Sequence, residues 1–226
     1  MSIAENLAKV LDQIQVAQKE HPVQLLAVSK THGVDAIAQA IDAGQRAFGE
    51  NYVQEAVEKI AYFDQVMPQV KLQWHFIGPL QSNKTRDVAR YFDWVESIDR
   101  EKIARRLSQQ RSALKPLKCL VEVNIDEQSS KSGVPVSEVR SLLDTIQSLP
   151  NLSLQGLMCI PNPQLPEAER INSLKRMREL FEQLRAEGYP MNVLSMGMSA
   201  DMTEAIQAGS TQVRVGSGIF GARHYD

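Results

Sequence analysis

The sequence contains little cysteine, which excludes two kinds of stabilised small fold. Cys119 and Cys159 are its 2 cysteines, and neither belongs to a CxxC pair or to a Cys/His cluster at metal-ligand spacing. A disulfide scaffold and a structural zinc site are therefore excluded. Both cysteines stand in apolar stretches, LKCLVEVN and LQGLMCIP, which predict small buried side chains.

Long apolar runs and an excess of one charge are also missing. No window approaches the ~18 uninterrupted apolar residues of a membrane-spanning helix. The 25 Lys and Arg residues balance 27 Asp and Glu residues, so charge favours neither nucleic acid nor an anionic membrane as a partner. The stretch MSIAENLAKVLDQIQVAQKE carries charges throughout and lacks the apolar segment of a signal peptide. We therefore expect a cytoplasmic protein without a membrane or nucleic-acid partner.

The composition that remains is that of an ordinary globular domain. Hydrophobic residues make up 43% of the 226 residues and charged residues 23%. A chain of this length buries roughly 70% of its unfolded surface, so its core needs no cross-link. No Pro-, Gly- or Ser-rich linker interrupts it, and we expect one domain over residues 1–226.

The chain alternates between two hydrophobic periods. Short apolar runs predict strands, and apolar residues at helical spacing between them predict helices. The predicted strands are 23–29, 46–49, 71–78, 92–97, 117–124, 152–160, 193–197 and 211–216. The predicted helices are 2–20, 34–41, 51–66, 83–90, 100–113, 136–148, 167–187 and 200–208.

This alternation predicts the fold class. Strands that alternate with helices of this kind form parallel βαβ units. Eight such units close into a (β/α)8 barrel, so we predict an α/β fold, a TIM-like barrel with an extra N-terminal helix. A doubly wound open sheet is the alternative that the pattern leaves open.

Lys30 is a candidate reactive amine. It follows the first predicted strand in LLAVSKTHG, a position at the catalytic rim of a parallel barrel. Partial burial there lowers the pKa of a lysine and makes its amine a Schiff-base nucleophile. The alternative is a lysine whose stem merely covers apolar surface. Because the first and eighth strands of a closed barrel pair, Lys30 would lie beside residues 214–218, an arrangement that suits a phosphorylated aldehyde.

Arg214 is a candidate ligand for a ring nitrogen. It lies between two valines on the eighth predicted strand, so alternation places it on the face opposite to both. If that face is the inside of the barrel, the guanidinium needs an acceptor, and the ring nitrogen of pyridoxal phosphate is one. A hydrogen bond donated there disfavours protonation of the nitrogen and weakens the cofactor as an electron sink. An arginine paired with a carboxylate outside the barrel is the alternative.

The glycine-rich C-terminal stretch is a candidate phosphate site. Gly216, Ser217 and Gly218 open a sequence, GSGIFG, that matches the dinucleotide motif GxGxxG, but the βαβ unit that this motif requires does not follow. Glycines let backbone N–H groups approach an anion, and a short following helix directs its positive end there. Loops after the last two strands of a barrel commonly bind phosphate. Ser199, after the seventh strand, is predicted to cap the next helix and to offer its hydroxyl to the same phosphate; an ordinary glycine turn is the alternative.

Other residues with chemical potential are interpreted as structural. His75 in WHFIG is predicted to be a core histidine. Met196, Met198 and Met202 have no Cys or His beside them to form a metal site and are predicted to pack in the core. No role is assigned to the polar loop 126–133.

Five segments, spread over nearly the whole chain, carry a specific resemblance. They are LLAVSKT (25–31), FGENYVQE (48–55), WHFIGPLQSNK (74–84), SMGMSADMTEAI (195–206) and VRVGSGIFGAR (213–223). In these segments the sequence resembles the YggS/PROSC family of pyridoxal phosphate homeostasis proteins. The resemblance implies a modified TIM barrel like the N-terminal domain of alanine racemase, with pyridoxal 5'-phosphate (PLP) held as an internal aldimine. The roles it implies are a Schiff base at Lys30, contact with the cofactor at Asn51, a ring-nitrogen ligand at Arg214, and a phosphate cradle at Ser199, Gly216, Ser217 and Gly218.

The function implied is that of a PLP carrier without turnover. It would act as a monomer in vitamin B6 homeostasis and in amino-acid and keto-acid balance, with PLP-dependent apoenzymes as recipients. A racemase needs a second base opposite its lysine, and we expect no length beyond the barrel for the domain that supplies one. Two enzymatic alternatives stay open: a small PLP-dependent racemase or lyase, and an aldolase in which Lys30 attacks a sugar phosphate.

Overall fold

A computed structural model of the chain describes residues 2–18, 21–111, 114–129 and 131–221. Within these ranges the strands are β1 (Gln24–Val28), β2 (Ala47–Glu50), β3 (Gln73–Phe76), β4 (Trp94–Ile98), β5 (Leu117–Asn124), β6 (Val134–Pro135), β7 (Leu152–Met158), β8 (Val193–Ser195) and β9 (Gln212–Val215). The α-helices are α1 (Ile3–Ala17), α2 (Val34–Asp42), α3 (Val53–Val66), α4 (Thr85–Tyr91), α5 (Glu101–Gln110), α6 (Val139–Ser148), α7 (Glu167–Ala186), α8 (Met202–Gln207) and α9 (Ser217–Phe220).

Eight of these strands close into a parallel barrel. Their order around the ring is β1, β2, β3, β4, β5, β7, β8, β9, with β4 paired to β5 and β9 paired back to β1. The register sets Leu26 of β1 opposite Arg214 of β9. The predicted (β/α)8 barrel with an N-terminal helix is confirmed, and the open doubly wound sheet is wrong.

The side chains of each barrel strand alternate between two environments. On β9, Val213 and Val215 belong to the apolar core between the strands and the helices, whereas Gln212 and Arg214 hydrogen-bond to side chains inside the barrel. A smaller apolar cluster also lies in the interior. This interior plug consists of Trp94, Leu120 and Met158, with Val193 packed against them.

The N-terminal helix α1 supports the end of the barrel that carries the glycine-rich stretch. It begins with a capping box, in which the Ser2 hydroxyl accepts from the Glu5 amide and the Glu5 carboxylate accepts from the Ser2 amide, satisfying two N–H groups of its first turn. Its buried face packs against α2, α8 and α9. The side-chain Nδ2 of Asn6 donates to the Ile219 carbonyl at 3.0 Å, which ties α1 to α9.

Several predicted boundaries differ from the structure. The hydrophobic pattern predicts no strand at 134–135, where β6 pairs with the end of β5. The predicted helix 136–148 begins with one 3-10 turn, Val136–Glu138, before α6. Residues 19–20, 112–113 and 222–223, at the ends of two predicted helices and of the last motif, lie outside the described residues. In the part of the chain that is described, no helix is long and apolar enough to cross a membrane.

Candidate functional site

A cavity of about 290 Å³ opens at the C-terminal ends of the barrel strands. Six of the seven predicted site residues line it: Lys30, Asn51, Ser199, Arg214, Gly216 and Ser217. Gly218 adjoins them, because a Cβ added to it would lie 3.6 Å from the Ser199 Oγ. Cavities of about 330 and 420 Å³ elsewhere contain none of the seven. Convergent polar groups, not volume, therefore identify the candidate site.

Lys30 reaches the cavity from a turn after β1. Ser29 is buried and Lys30 is half-buried. Thr31 follows with a φ of 65°, a left-handed conformation that is unusual for a β-branched residue. Because β1 pairs with β9, the turn stands next to the glycine-rich stretch, and the structure places Lys30 and Gly216 in the lining of one cavity.

Arg214 lies inside the barrel and is held by two hydrogen bonds. Its Nη1 donates to the Ser195 Oγ at 2.6 Å, and its Nη2 donates to the Cys159 carbonyl at 3.0 Å. The residue is 4% exposed and lines the cavity. The alternative of an arginine paired outside the barrel is therefore wrong. A buried guanidinium with fixed donors at the base of a cavity can present a hydrogen bond to a ligand.

A buried polar layer holds Arg214 from behind. The carboxylate of Glu96 accepts from His75 Nδ1 at 2.7 Å, from Ser195 Oγ at 2.8 Å and from Gln212 Nε2 at 2.6 Å. Burial alone would raise the pKa of Glu96, but the hydrogen bonds from His75 and Ser195 and the charges of His75 and Arg214 together lower this pKa below its ordinary value. Ser195 thus links a buried negative charge to a buried positive charge through one hydroxyl.

The predicted burial of His75 is confirmed, but one of its two ring nitrogens lacks a partner among the described residues. The ring is fully buried and stacks on Trp94 with a centroid distance of 4.9 Å. Its Nδ1 bonds to Glu96, while its Nε2 has no hydrogen-bond partner among the described residues. The ring therefore belongs to the polar layer and is not merely packing.

The rest of the polar layer went unpredicted, although the sequence contains a signal for it. Gln212 precedes Arg214 by two positions, so both side chains share one face of the strand. Glu96 stands in a strand whose five residues are all buried, where a charged side chain is rare unless it is paired. Ser195 carries no comparable signal, because a serine at a strand end is common.

The glycine-rich stretch forms a compact backbone turn at the cavity. Gly216 precedes the four-residue helix α9, and the N–H groups of Ser217 and Gly218 in its first turn have no acceptor within the helix. A helix this short has only a small dipole, so an anion at this turn would be held by these N–H groups and not by the expected positive helix end. A Cβ on Gly218 would lie 2.9 Å from the Val215 side chain, and one on Gly216 would lie 3.3 Å from the Val28 carbonyl. Both positions thus favour glycine.

Ser199 lies at the cavity but does not cap a helix. Helix α8 begins at Met202, and its N-cap residue is Asp201. Asp201 also accepts a hydrogen bond from the Met198 amide at 2.7 Å. The predicted capping role of Ser199 is therefore wrong, because α8 begins three residues later; Asp201 holds the N-cap position without a side-chain capping bond. The Ser199 side chain is exposed at the mouth of the cavity.

Asn51 is placed at the cavity by the end of β2. Its Oδ1 is buried and has no hydrogen-bond partner among the described residues. Gly78, after β3, allows the two strand ends to approach, since a Cβ there would lie 2.4 Å from the Asn51 carbonyl oxygen. A buried acceptor of this kind is stable only when a donor satisfies it, so Asn51 is suited to bind a ligand.

The predicted core residues divide into confirmed and wrong predictions. Met196 and Met202 are buried, but Met198 is 37% exposed and lines the cavity. Met198 lies in the loop between β8 and α8 and follows Gly197, which has a left-handed φ of 100°. Cys119 and Cys159 are buried as predicted, and burial raises the pKa of each thiol to about 12.

A second buried carboxyl group, that of Glu122, interacts electrostatically with Arg214. Glu122 on β5 is 8% exposed, and burial together with the charge of Asp99 raises its pKa to about 7, against the lowering effect of Arg214. Among the described residues, the barrel interior therefore contains two buried carboxyl groups, Glu96 and Glu122, whose pKa values are shifted in opposite directions.

Comparison with known proteins first defines the class. Residues 5–224 match the family described as alanine racemase, N-terminal domain. The solved alanine racemase of Corynebacterium glutamicum is 20% identical, with a TM-score of 0.71 over 99% of this chain and 61% of that chain. At this identity the likeness concerns the fold alone.

More similar proteins narrow the class. The "Pyridoxal phosphate homeostasis protein" of Vibrio cholerae is 52% identical over 99% of this chain and 98% of that protein. The protein of the same name from Escherichia coli is 50% identical over 99% of this chain and 97% of its own length. The structure of PipY from Synechococcus elongatus, with PLP bound, is 36% identical, with a TM-score of 0.86 over 97% of this chain and 100% of that chain. This chain belongs to the family of pyridoxal phosphate homeostasis proteins.

Proposed function

We propose that this protein binds PLP in the cavity at the barrel mouth, covalently through Lys30, and acts in PLP homeostasis and in amino-acid and keto-acid balance without turnover. The observation that carries the proposal is the placement of an amine, a buried guanidinium and a glycine-rich backbone turn around one cavity. These three groups match the aldehyde, ring nitrogen and phosphate of PLP. The family membership and the PLP-bound structure of PipY support the same conclusion.

The residues present fit this cofactor. Gly216 and Gly218 leave a backbone cradle that a Cβ would narrow, and glycines in such a turn let N–H groups reach a phosphate. The buried Oδ1 of Asn51 lacks a donor among the described residues, and a bound ligand would supply one. The volume of about 290 Å³ lies at the lower end of the range for small-molecule sites.

In this proposal each residue has one task. PLP supplies an aldehyde carbon, to which the Lys30 amine adds; a C=N bond forms and the aldehyde oxygen leaves as water. Ser199 and the N–H groups of Ser217 and Gly218 hold the phosphate. Arg214, which stays charged and can only donate, holds the ring nitrogen in its unprotonated form.

Two features support binding without turnover. An unprotonated ring nitrogen makes PLP a weak electron sink, which disfavours reactions through a carbanion. Besides Lys30 and Arg214, the described cavity lining contains one further titratable side chain, His32, and it stands on the same turn as Lys30. Racemisation requires bases on opposite faces of the substrate. We further propose that the protein is a cytoplasmic monomer and that PLP-dependent apoenzymes receive its cofactor.

The test combines absorbance with mapping of the modified lysine. Purified protein incubated with PLP should show a visible Schiff-base band, and borohydride should fix the pyridoxyl group on the peptide that contains Lys30. Lys30→Ala should abolish the band. The matched control is Lys102→Ala, on the exposed face of α5, which should leave the band unchanged.

Each contrary result points to a different function. A folded wild-type protein that takes up no PLP would overturn the proposal and favour the sugar-phosphate aldolase. Turnover of an amino acid, lost in Lys30→Ala, would favour the racemase or lyase.

A further inference from the structure

A cluster of three charged residues lies behind the Lys30 turn, outside the cavity. Two of them are buried, and the third, Glu55, is 31% exposed. Lys59 on α3 is 5% exposed, and Glu50 at the end of β2 is fully buried. The Lys59 Nζ lies 2.8 Å from the Glu50 Oε1 and 2.5 Å from the Glu55 Oε1. We name Lys59, Glu50 and Glu55 the clamp cluster. None of the three lines the cavity.

The clamp cluster contacts the chain on both sides of Lys30. The Lys59 Nζ donates to the Ser29 carbonyl at 2.8 Å, and the Ser29 Oγ donates to the Glu50 Oε1 at 2.6 Å. On the other side, the Thr31 amide donates to the Glu55 Oε1 at 2.6 Å. Lys59 thus uses its three donors on the Ser29 carbonyl and the two carboxylates, and the residues that flank Lys30 are both fixed.

Two physical considerations indicate that this arrangement positions the turn and is not there for stability. A buried ion pair stabilises a fold little more than apolar packing would, so its presence needs another explanation. Thr31 occupies a left-handed conformation that a β-branched residue adopts only when its surroundings impose it. Within the described residues, the hydrogen bond from the Thr31 amide to the Glu55 carboxylate holds this residue from outside the turn.

We propose that the clamp cluster, acting through Glu55, positions the Lys30 turn so that the Lys30 amine is presented to the aldehyde of PLP. Glu50, Glu55 and Lys59 are positioning residues, and they act on condensation, not on phosphate binding. This inference rests on the proposed function. Condensation of the Lys30 amine and binding of the phosphate can be measured separately, because the phosphate cradle belongs to a different part of the chain.

The experiment compares three variants of one helix. Glu55→Ala removes the acceptor for the Thr31 amide, and Glu55→Gln retains an oxygen at that position. Glu58→Ala is the matched control, because Glu58 is exposed on the same helix and bonds to Gln54. Two probes separate the effects: PLP, which condenses with the lysine, and pyridoxine 5'-phosphate, which has an alcohol in place of the aldehyde and only binds.

For Glu55→Ala we expect the rate of Schiff-base formation to fall about tenfold, equivalent to about 1.4 kcal/mol. Its affinity for pyridoxine 5'-phosphate should stay within twofold of wild type, and Glu58→Ala should match wild type with both probes. Glu55→Gln should recover most of the rate. Hydrogen exchange at the Thr31 amide should be faster in Glu55→Ala than in Glu55→Gln.

The inference is overturned if Glu55→Ala condenses with PLP as fast as wild type. It is also overturned if this variant, shown to be folded by thermal unfolding, reacts with PLP and binds pyridoxine 5'-phosphate more weakly to the same degree. Wild-type protein that never condenses with PLP would refute the proposed function instead. In that case, unchanged exchange at the Thr31 amide in Glu55→Ala would separately refute the clamp.

Discussion

Replacing Glu96 by glutamine removes the negative charge inside the barrel while nearly preserving the shape of the side chain. The Glu96 Oε1 accepts from His75 and Gln212, and its Oε2 accepts from the Ser195 hydroxyl. The amide oxygen of glutamine can keep the first two bonds as neutral ones. Its NH2 group, however, faces a Ser195 hydroxyl that already accepts from Arg214 and Gln212, and Arg214 loses its buried counter-charge.

The expected cost follows from these contacts. A hydrogen bond to a charged group contributes about 1.5–3 kcal/mol and a neutral one about 1 kcal/mol, so weakening two bonds and losing a third costs about 3 kcal/mol. For a domain of this size 1 kcal/mol shifts the melting temperature by about 2–4 °C, so Glu96→Gln should melt about 6–12 °C below wild type. The matched control is Glu101→Gln, a half-exposed glutamate paired with Arg105, which should change the unfolding free energy by less than about 0.5 kcal/mol.

The pH dependence provides an independent check. The pKa of Glu96 is lowered in the folded protein, so its ionisation contributes stability that is complete above the unfolded pKa of about 4.5 and is lost as the pH falls through the folded value. Urea unfolding should show the full difference between wild type and Glu96→Gln at pH 7 and a shrinking difference below about pH 4.5. A difference under about 1 kcal/mol at pH 7 would refute the assigned role of the polar layer.

Three further predictions concern residues away from Glu96. Gly156→Ala would place a Cβ 1.7 Å from the Val193 carbonyl oxygen, which forces β7 and β8 apart, so thermal unfolding should show a loss of more than about 4 kcal/mol; a variant that melts like wild type would contradict the register. Glu122 holds a proton more tightly in the folded protein, with a pKa of about 7, so the folded protein loses stability as the pH rises from about 4.5 to 7. In urea unfolding, Glu122→Gln should have the same unfolding free energy as wild type at pH 4 and one about 3 kcal/mol higher at pH 8. Equal unfolding free energies at both pH values would refute this assignment. Because burial raises the pKa of Cys119 and Cys159 to about 12, a thiol reagent at pH 8 should titrate neither in the native protein and both in denaturant; a fast-reacting native thiol would show that one is accessible.

The barrel was predictable because its strands are buried on both faces. Continuous apolar runs such as LKCLVEVN are typical of parallel strands covered by helices, and eight of them with intervening helices favour closure. Closure in turn predicts that Lys30 adjoins the stretch 214–218. The two-residue strand β6 was not predictable, because a pairing of this length has no periodicity.

The side-chain contacts of the site were harder to predict. Glu96 and Ser195 are 99 positions apart, and no local pattern relates two residues whose contact depends on the radius of the barrel. In SMGMSADMTEA both Ser199 and Asp201 are suitable caps, and only the exact start of α8 decides between them. Met198 is apolar but exposed, because it lies beyond the end of β8 in the loop before α8, where no hydrophobic period predicts burial.

The interior plug fills the barrel axis behind the cavity. Trp94, Leu120 and Val193 each precede by two positions a polar residue of the same strand, Glu96, Glu122 or Ser195, so apolar side chains fill the axis one layer behind the polar residues. In the described part of the chain, the cavity opens on the opposite side, at the strand ends. Any ligand of this cavity would therefore enter and leave at the strand ends, where both processes share the same opening. The rate at which such a ligand exchanges should then depend on the residues around that opening, and a change in the stability of the barrel alone should leave this rate unaltered.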